Sequence, residues 1–226
     1  MKEFETYRKS WNKKQTEFRG ILLSFNRHNR SIQMFLSQHA ALHSAKMVQT
    51  EPWSFEDEIL NDMTEEQIRR IPDNEEHSVA WNIWHLARIE DVAMNLLVAG
   101  SPQVLIQKNW LERLKITIRN TGNLMSKGDA VKLSSKIELD ALRAYRLAVG
   151  RRTHEIVKGL QPDVLQQKVD PARLQQVLDE GAVVEAACGL IDYWSRRDIA
   201  GLLLMPPTRH NFVHLNEALR LKRSRR

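Results

Sequence analysis

Cysteine is almost absent: Cys188 is the only one in 226 residues. A single thiol excludes an intramolecular disulfide and any zinc site built from several cysteines. Flanked by Ala187 and Gly189 in an apolar stretch, it is expected to be buried and inert. No apolar run reaches the ~18 residues a membrane-spanning helix needs. The opening MKEFETYRKSWNKKQ is too polar for a signal peptide, so a cytoplasmic location and no membrane partner are expected. The sequence also lacks a P-loop, a Gly-rich dinucleotide fingerprint and a G-x-S-x-G elbow.

Glycine and proline are sparse, at nine and seven, strand signals are nearly missing, and long stretches keep a 3.6-residue period. The expected fold is all-α: one antiparallel four-helix-bundle domain over residues 1–226, its core at about 10–222, with short helices in the connections. The first long helix is expected from Ser10 to Met47, with Phe18, Leu22, Phe25, Asn29, Ile32, Leu36, His39 and His43 on one seam. A connection over 48–76 holds the short helix SFEDEILNDM and a turn at Pro72-Asp73-Asn74. The second long helix runs from Ser78 to the stop at Gly100, and Trp81, His85, Arg88, Val92 and Leu96 share a face. In 103–133, NWLERLKIT reads as helix and NTGNLMSKGDA as loop. Ser134 or Ser135 is expected to cap a third helix ending before Pro162. A short helix, PARLQQVLDE, stops at Gly181, and AVVEAACGLIDYWSRRDIAGLLLM reads as one helix or two. Pro206-Pro207 should end that segment, and Thr208 should cap the last helix.

The net charge is +6, and much of the excess lies in a tail over 220–226: Arg220, Lys222, Arg223, Arg225 and Arg226. A helix end whose cations complement the dipole accounts for it. Nucleic-acid binding is the other reading and is not expected, because no aromatic-plus-basic pattern accompanies the tail.

The chemistry points to histidine. His210 and His214 are four residues apart in MPPTRHNFVHLNEALRLK, one turn apart on a helix, so both imidazoles can reach one divalent ion. A third ligand must come from another helix. His85, His39 and His43 all face the interior, and His85, beside Trp81 and Trp84, is the better candidate; His28, His77 and His154 are weaker. Glu217, one turn beyond His214, is placed to accept a ligand N–H or to lie exposed. Arg88 is a candidate for an anionic substrate or for pairing with Glu90 or Asp91. His39 and His43 are candidates for proton transfer or substrate contact. Trp81, named with Arg88 on the substrate side, is otherwise a packing residue.

HSVAWNIWHLARIEDVAMNLLV, followed downstream by LLLMPPTRHNFVHLNEALR, resembles the DinB-like (DinB/YfiT-like) superfamily of metalloenzymes. The first motif matches at Trp81, Trp84, His85, Ile89, Glu90 and Asp91, the second at His210 and His214. The resemblance implies a four-helix bundle in which His85, His210 and His214 hold one divalent metal, zinc or nickel first, iron or manganese as alternatives. It also implies thiol-dependent S-transferase-like chemistry, with a low-molecular-weight thiol as co-substrate and a small-molecule substrate. Metal-assisted hydrolysis is the second reading, and a non-catalytic metal-binding or stress-response bundle the third. A homodimer stays open. The stretch between His85 and His210 is long for the pattern, which implies extra helices around 103–133 and 163–180.

Overall fold

The computed structural model describes residues 2–48, 53–73, 75 and 77–224, with side chains from Phe4 onward. Asn74 of the expected turn, and Arg225 and Arg226 of the basic tail, lie outside the described residues. Helices α1 (Lys2–Ile21), α2 (His28–Ala40), α3 (Phe55–Leu60) and α4 (Glu65–Arg69) precede the central helix α5 (Val79–Asp91). It continues as a π-helix over Val92–Ala99. Then come α6 (Trp110–Arg113), α7 (Lys127–Lys136), α8 (Leu139–Gly159), α9 (Pro171–Asp179), α10 (Gly189–Ser195) and α11 (Ile199–Leu204). A π turn over Met205–His210 joins α11 to α12 (Asn211–Arg223).

Four helices close a ring: α2 packs on α8, α8 on α5, α5 on α12, and the π turn before α12 returns to α2. The architecture is the expected all-helical bundle. Every residue of α5 is buried. Ser78 caps it by accepting from Trp81 N at 2.9 Å, and Gly100, at φ +61°, closes its far end. Two apolar clusters meet along this helix. One holds Val79 to Ala87 with Tyr145 and Phe212; the other holds Ile89 to Val98 with Phe18, Phe35 and Trp194. Arg88, Glu90 and Asp91 lie at the junction, fully buried, so each must find partners inside the protein.

Several sequence expectations need correction. The expected helix over Ser10–Met47 is two helices, α1 and α2, folded back on one another. Trp11 Nε1 donates to Gln38 O at 2.9 Å, and the Phe18 and Phe35 rings lie 6.0 Å apart. An apolar period reads the same for one long helix as for two whose faces pack together; the loss of phase shows at Phe25, which is 75% exposed, and at the exposed Asn29. Ser134 and Ser135 cap nothing: they lie inside α7, whose cap is Ser126, accepting from Asp129 N at 3.1 Å. The expected third helix is α8, which begins at Leu139 after an extended Ile137 and Glu138, while α7 begins inside the stretch expected as loop. In the connection, α4 is an addition, closed by a capping box between Thr64 and Gln67. AVVEAACGLIDYWSRRDIAGLLLM forms a 3-10 turn, α10 and α11. Cys188 is exposed, not buried, because it sits at the N-terminal edge of α10 instead of inside a longer helix.

Pro206 and Pro207 do not end the helical path. They open the π turn, where first-turn N–H groups need no intrahelical acceptor. Thr208 is therefore no cap: its hydroxyl donates to Leu203 O at 3.0 Å and accepts from Gln15 Nε2 at 3.0 Å. The described cations of the basic tail lie back on the protein. Arg220 pairs with Glu75 at 3.1 Å, and Lys222 donates to Glu58 O and Asn61 O.

Candidate metal centre

His85 on α5, His210 at the end of the π turn and His214 on α12 converge. Each offers a nitrogen, and these three atoms lie within 4.8 Å of one another. Ring centroids are 5.0 Å apart for His85–His210, 4.9 Å for His85–His214 and 4.5 Å for His210–His214. The continuous turn from Leu204 into α12 carries His210 and His214 inward together.

The outer nitrogens of His85 and His214 are engaged, whereas His210 Nδ1 meets no partner among the described residues. His85 Nδ1–H donates to Thr121 O at 2.6 Å. His214 Nδ1–H donates to Glu217 Oε2 at 2.7 Å and lies 3.2 Å from Asn82 Oδ1. Donation from Nδ1 fixes the tautomer that leaves the Nε2 lone pair for a metal, the outer arrangement metal-ligating histidines use. Burial, then the neighbouring His214, lowers the His85 pKa to about 3. His210 is held well below its ordinary value by burial and then by His85 and His214. Neutral imidazole is the form that ligates. Although burial opposes it, the hydrogen bond from His214 keeps the Glu217 carboxyl below its usual range, so Glu217 accepts as an anion. The donor set, the His85 and His214 tautomers and the neutral His85 and His210 rings fit a divalent ion.

The loop before α7 supplies the Thr121 carbonyl. Asp91 anchors the start of this connection by accepting from Val104 N at 2.8 Å and Leu105 N at 2.9 Å. Arg88 belongs to the same support: its terminal nitrogens reach Asp91, Tyr145, Gln103 and the Arg119 carbonyl at 2.6–3.0 Å. The expected substrate contact by Arg88 is corrected accordingly; its fully buried guanidinium serves the fold. Trp81 is likewise enclosed, its ring stacked between His77 at 3.5 Å and His85 at 4.6 Å. It packs the His85 ring in place. A cavity of about 440 Å³ opens beside the centre, walled by His77, Asn82, His214, Glu217 and Arg220.

His39 and His43 turn to Glu90 instead. His39 Nε2 lies 2.7 Å from Glu90 Oε1, and His43 Nε2 lies 3.1 Å from Oε2. Thr153 Oγ1 and Asn211 Nδ2 each donate to the same carboxylate at 2.7 Å. This fully buried group could also hold a metal. In the three-histidine centre two of the three Nδ1 atoms have an acceptor; here neither does. Nδ1 of His39 and Nδ1 of His43 meet no acceptor, so their protons are best placed on Nε2, where they satisfy Glu90. Burial works against the Glu90 charge, but His39 and His43 hold its pKa well below the carboxylate range. Burial and the nearby Arg146 push His43 well below the imidazole range. Glu90 thus ties α2, α5, α8 and α12 together.

Thr121 contributes only a backbone oxygen, which no side-chain pattern announces. Asn82 and Asn211 carried no signal. Glu90 did: a carboxylate in a helix buried on all sides requires partners.

A four-helix bundle whose facing helices direct imidazoles inward is an architecture that builds metal sites in its core. Residues 57–186 match the sequence model of the DinB superfamily, and the chain belongs to that superfamily. The matched segment includes His85 and stops short of His210 and His214. The chain matches none of the curated proteins with which it was compared. Among the described residues, no helix is long and apolar enough to cross a membrane.

Proposed function

We propose that this protein is a metal-dependent enzyme that joins a small thiol to an electrophilic substrate. The observation that carries the reading is the convergence of His85, His210 and His214, with two of the three directing Nδ1–H outward to an acceptor. These residues would hold one divalent ion, zinc or nickel before iron or manganese. Such an ion favours the deprotonated form of a thiol that shares its sphere. Thiol chemistry is preferred over hydrolysis because of the family resemblance.

The remaining chemistry falls to the chain. The reaction is addition of R–S–H: the S–H bond breaks, the sulfur pair forms the new C–S bond, and the proton is returned to the neighbouring atom of the electrophile. A proton carrier is needed on the cavity wall, and the His77 imidazole there is suited to that task. Glu217, held as an anion against His214, positions that ring. Trp81 and Trp84, both buried, keep bulk water from the far side of His85.

The test is metal analysis of untagged protein together with a thiol-conjugation screen. The expected result is about one divalent ion per chain and a thiol adduct that forms only with the metal present. Wild-type metal content in a His210→Ala, His214→Ala double variant would overturn the ligand assignment. Hydrolysis of ester or amide probes without thiol consumption would overturn the reaction.

A further inference from the structure

A separate cleft of about 520 Å³ is walled by α1, the turn from α10 into α11 and the π turn, and it shares no lining residue with the cavity beside His214. Three arginines enter it: Arg19 from α1, Arg197 from the turn before α11 and Arg209 from the π turn. Among the described residues, no carboxylate lines it. Among the described residues none of the three is paired with an acid. Arg209 donates to the neutral Asn12 Oδ1 at 2.9 Å, Arg197 lies over the Tyr193 ring at 4.3 Å, and Arg19 forms no ion pair. Other arginines do pair with acids, as in Arg8–Glu5, Arg152–Glu155 and Arg220–Glu75. Three unneutralised guanidiniums in one concavity repel one another and raise the local potential for an anion.

Thr16 and Tyr193 add polar groups on the same walls, and Leu204 and Met205 add apolar surface. The volume suits a small molecule, and guanidinium forks match the oxygens of a phosphate. We propose that this cleft binds a small molecule carrying a phosphate or similar dianionic group, gripped by Arg19, Arg197 and Arg209, with its apolar part against Leu204 and Met205. A polymer or a membrane would be served by a flat basic face, whereas these charges line a concavity.

The test is calorimetric titration of the full chain with phenyl phosphate, with phenol and a 20-nucleotide single strand as comparison probes. Saturable binding of phenyl phosphate but not phenol is expected. Arg19→Gln and Arg197→Gln should each weaken it about tenfold or more, the loss typical of a charge-assisted hydrogen bond, and Arg19→Lys should recover part of it. Both residues are exposed, so an unchanged circular dichroism spectrum is expected for these variants. His214→Ala should bind phenyl phosphate as the wild type does, which separates this cleft from the histidine centre. The proposal is overturned by absence of binding, by binding that both arginine variants retain, or by binding that His214→Ala alone removes. Binding of the oligonucleotide without competition from phenyl phosphate would overturn it in favour of nucleic acid.

Discussion

Glu217 Oε2 accepts the Nδ1 proton of His214 at 2.7 Å, one helical turn along α12. The contact sets which His214 nitrogen carries the proton and which way the ring faces. Glu217→Ala should therefore lower metal affinity by about 10–100-fold, the usual effect of removing a ligand's outer partner. Glu217→Gln, which keeps an acceptor oxygen and loses the charge, should fall between the two. Competition with a chromogenic chelator measures this; equal affinities in all three proteins would remove the role.

Replacing His210 and His214 together by alanine should leave less than stoichiometric metal by mass spectrometry. The same variant should lose the melting-temperature rise that added metal gives the wild type, since a ligand stabilises only the state that binds it.

Gly122 has φ +82°, and a Cβ there would lie 2.5 Å from Trp84 Cζ3. Gly122→Ala should destabilise the protein by about 1–3 kcal/mol through overpacking. It should also weaken metal binding without touching a ligand, because Gly122 follows the Thr121 carbonyl that holds His85. Denaturant unfolding and chelator competition read the two effects separately.

Glu90→Ala removes the acceptor for four side chains: His39 on α2, His43 just beyond it, Thr153 on α8 and Asn211 on α12. Stranding buried polar partners should cost about 3–5 kcal/mol, as when one member of a buried pair is removed. Urea denaturation checks it; a loss under about 1 kcal/mol would show the network to be dispensable, on the scale of an ordinary single hydrogen bond.

Stability should fall in acid earlier than carboxylate titration requires. Burial, followed by His39, lowers the His154 pKa to about 3, and burial and then Arg146 hold His43 well below its ordinary value. Both fold as neutral rings, whereas the unfolded chain takes up their protons near pH 6.5. Their contribution is complete above that pH and is lost as pH falls below it, at about 1.4 kcal/mol per pH unit for each fully shifted ring. Glu56 and Asp91, whose pKa values burial raises, offset part of the loss. Unfolding free energies at pH 7.5, 6.5 and 5.5 should show the slope, and His154→Gln should flatten it; an identical slope in the variant would remove the assignment.

Periodicity and punctuation made much of this fold readable. Ser78, the apolar run behind it and Gly100 marked α5 because cap, burial and stop all act locally. His210 and His214 were visible because four-residue spacing is geometry. The break after Ile21 was hidden because Phe18, Leu22, Ile32 and Leu36 keep helical phase whether the chain runs on or folds back. Pro206-Pro207 read as an end because proline lacks an N–H; whether that N–H is needed depends on the turn formed. The Thr121 carbonyl, the Asn211 amide and the Glu90 cluster depend on residues far apart in sequence, which spacing alone cannot bring together.

The link between Glu90 and Asn211 bears on the order in which the protein is made. A chain growing from its N-terminus presents His39, His43, Glu90 and Thr153 well before Asn211. Until α12 docks, the carboxylate on α5 lacks one of its four donors. His210 and His214 emerge with that same segment. Closing the core and gathering the three imidazoles are therefore one late event during synthesis, so a chain stalled near residue 200 would carry His85 without its partners.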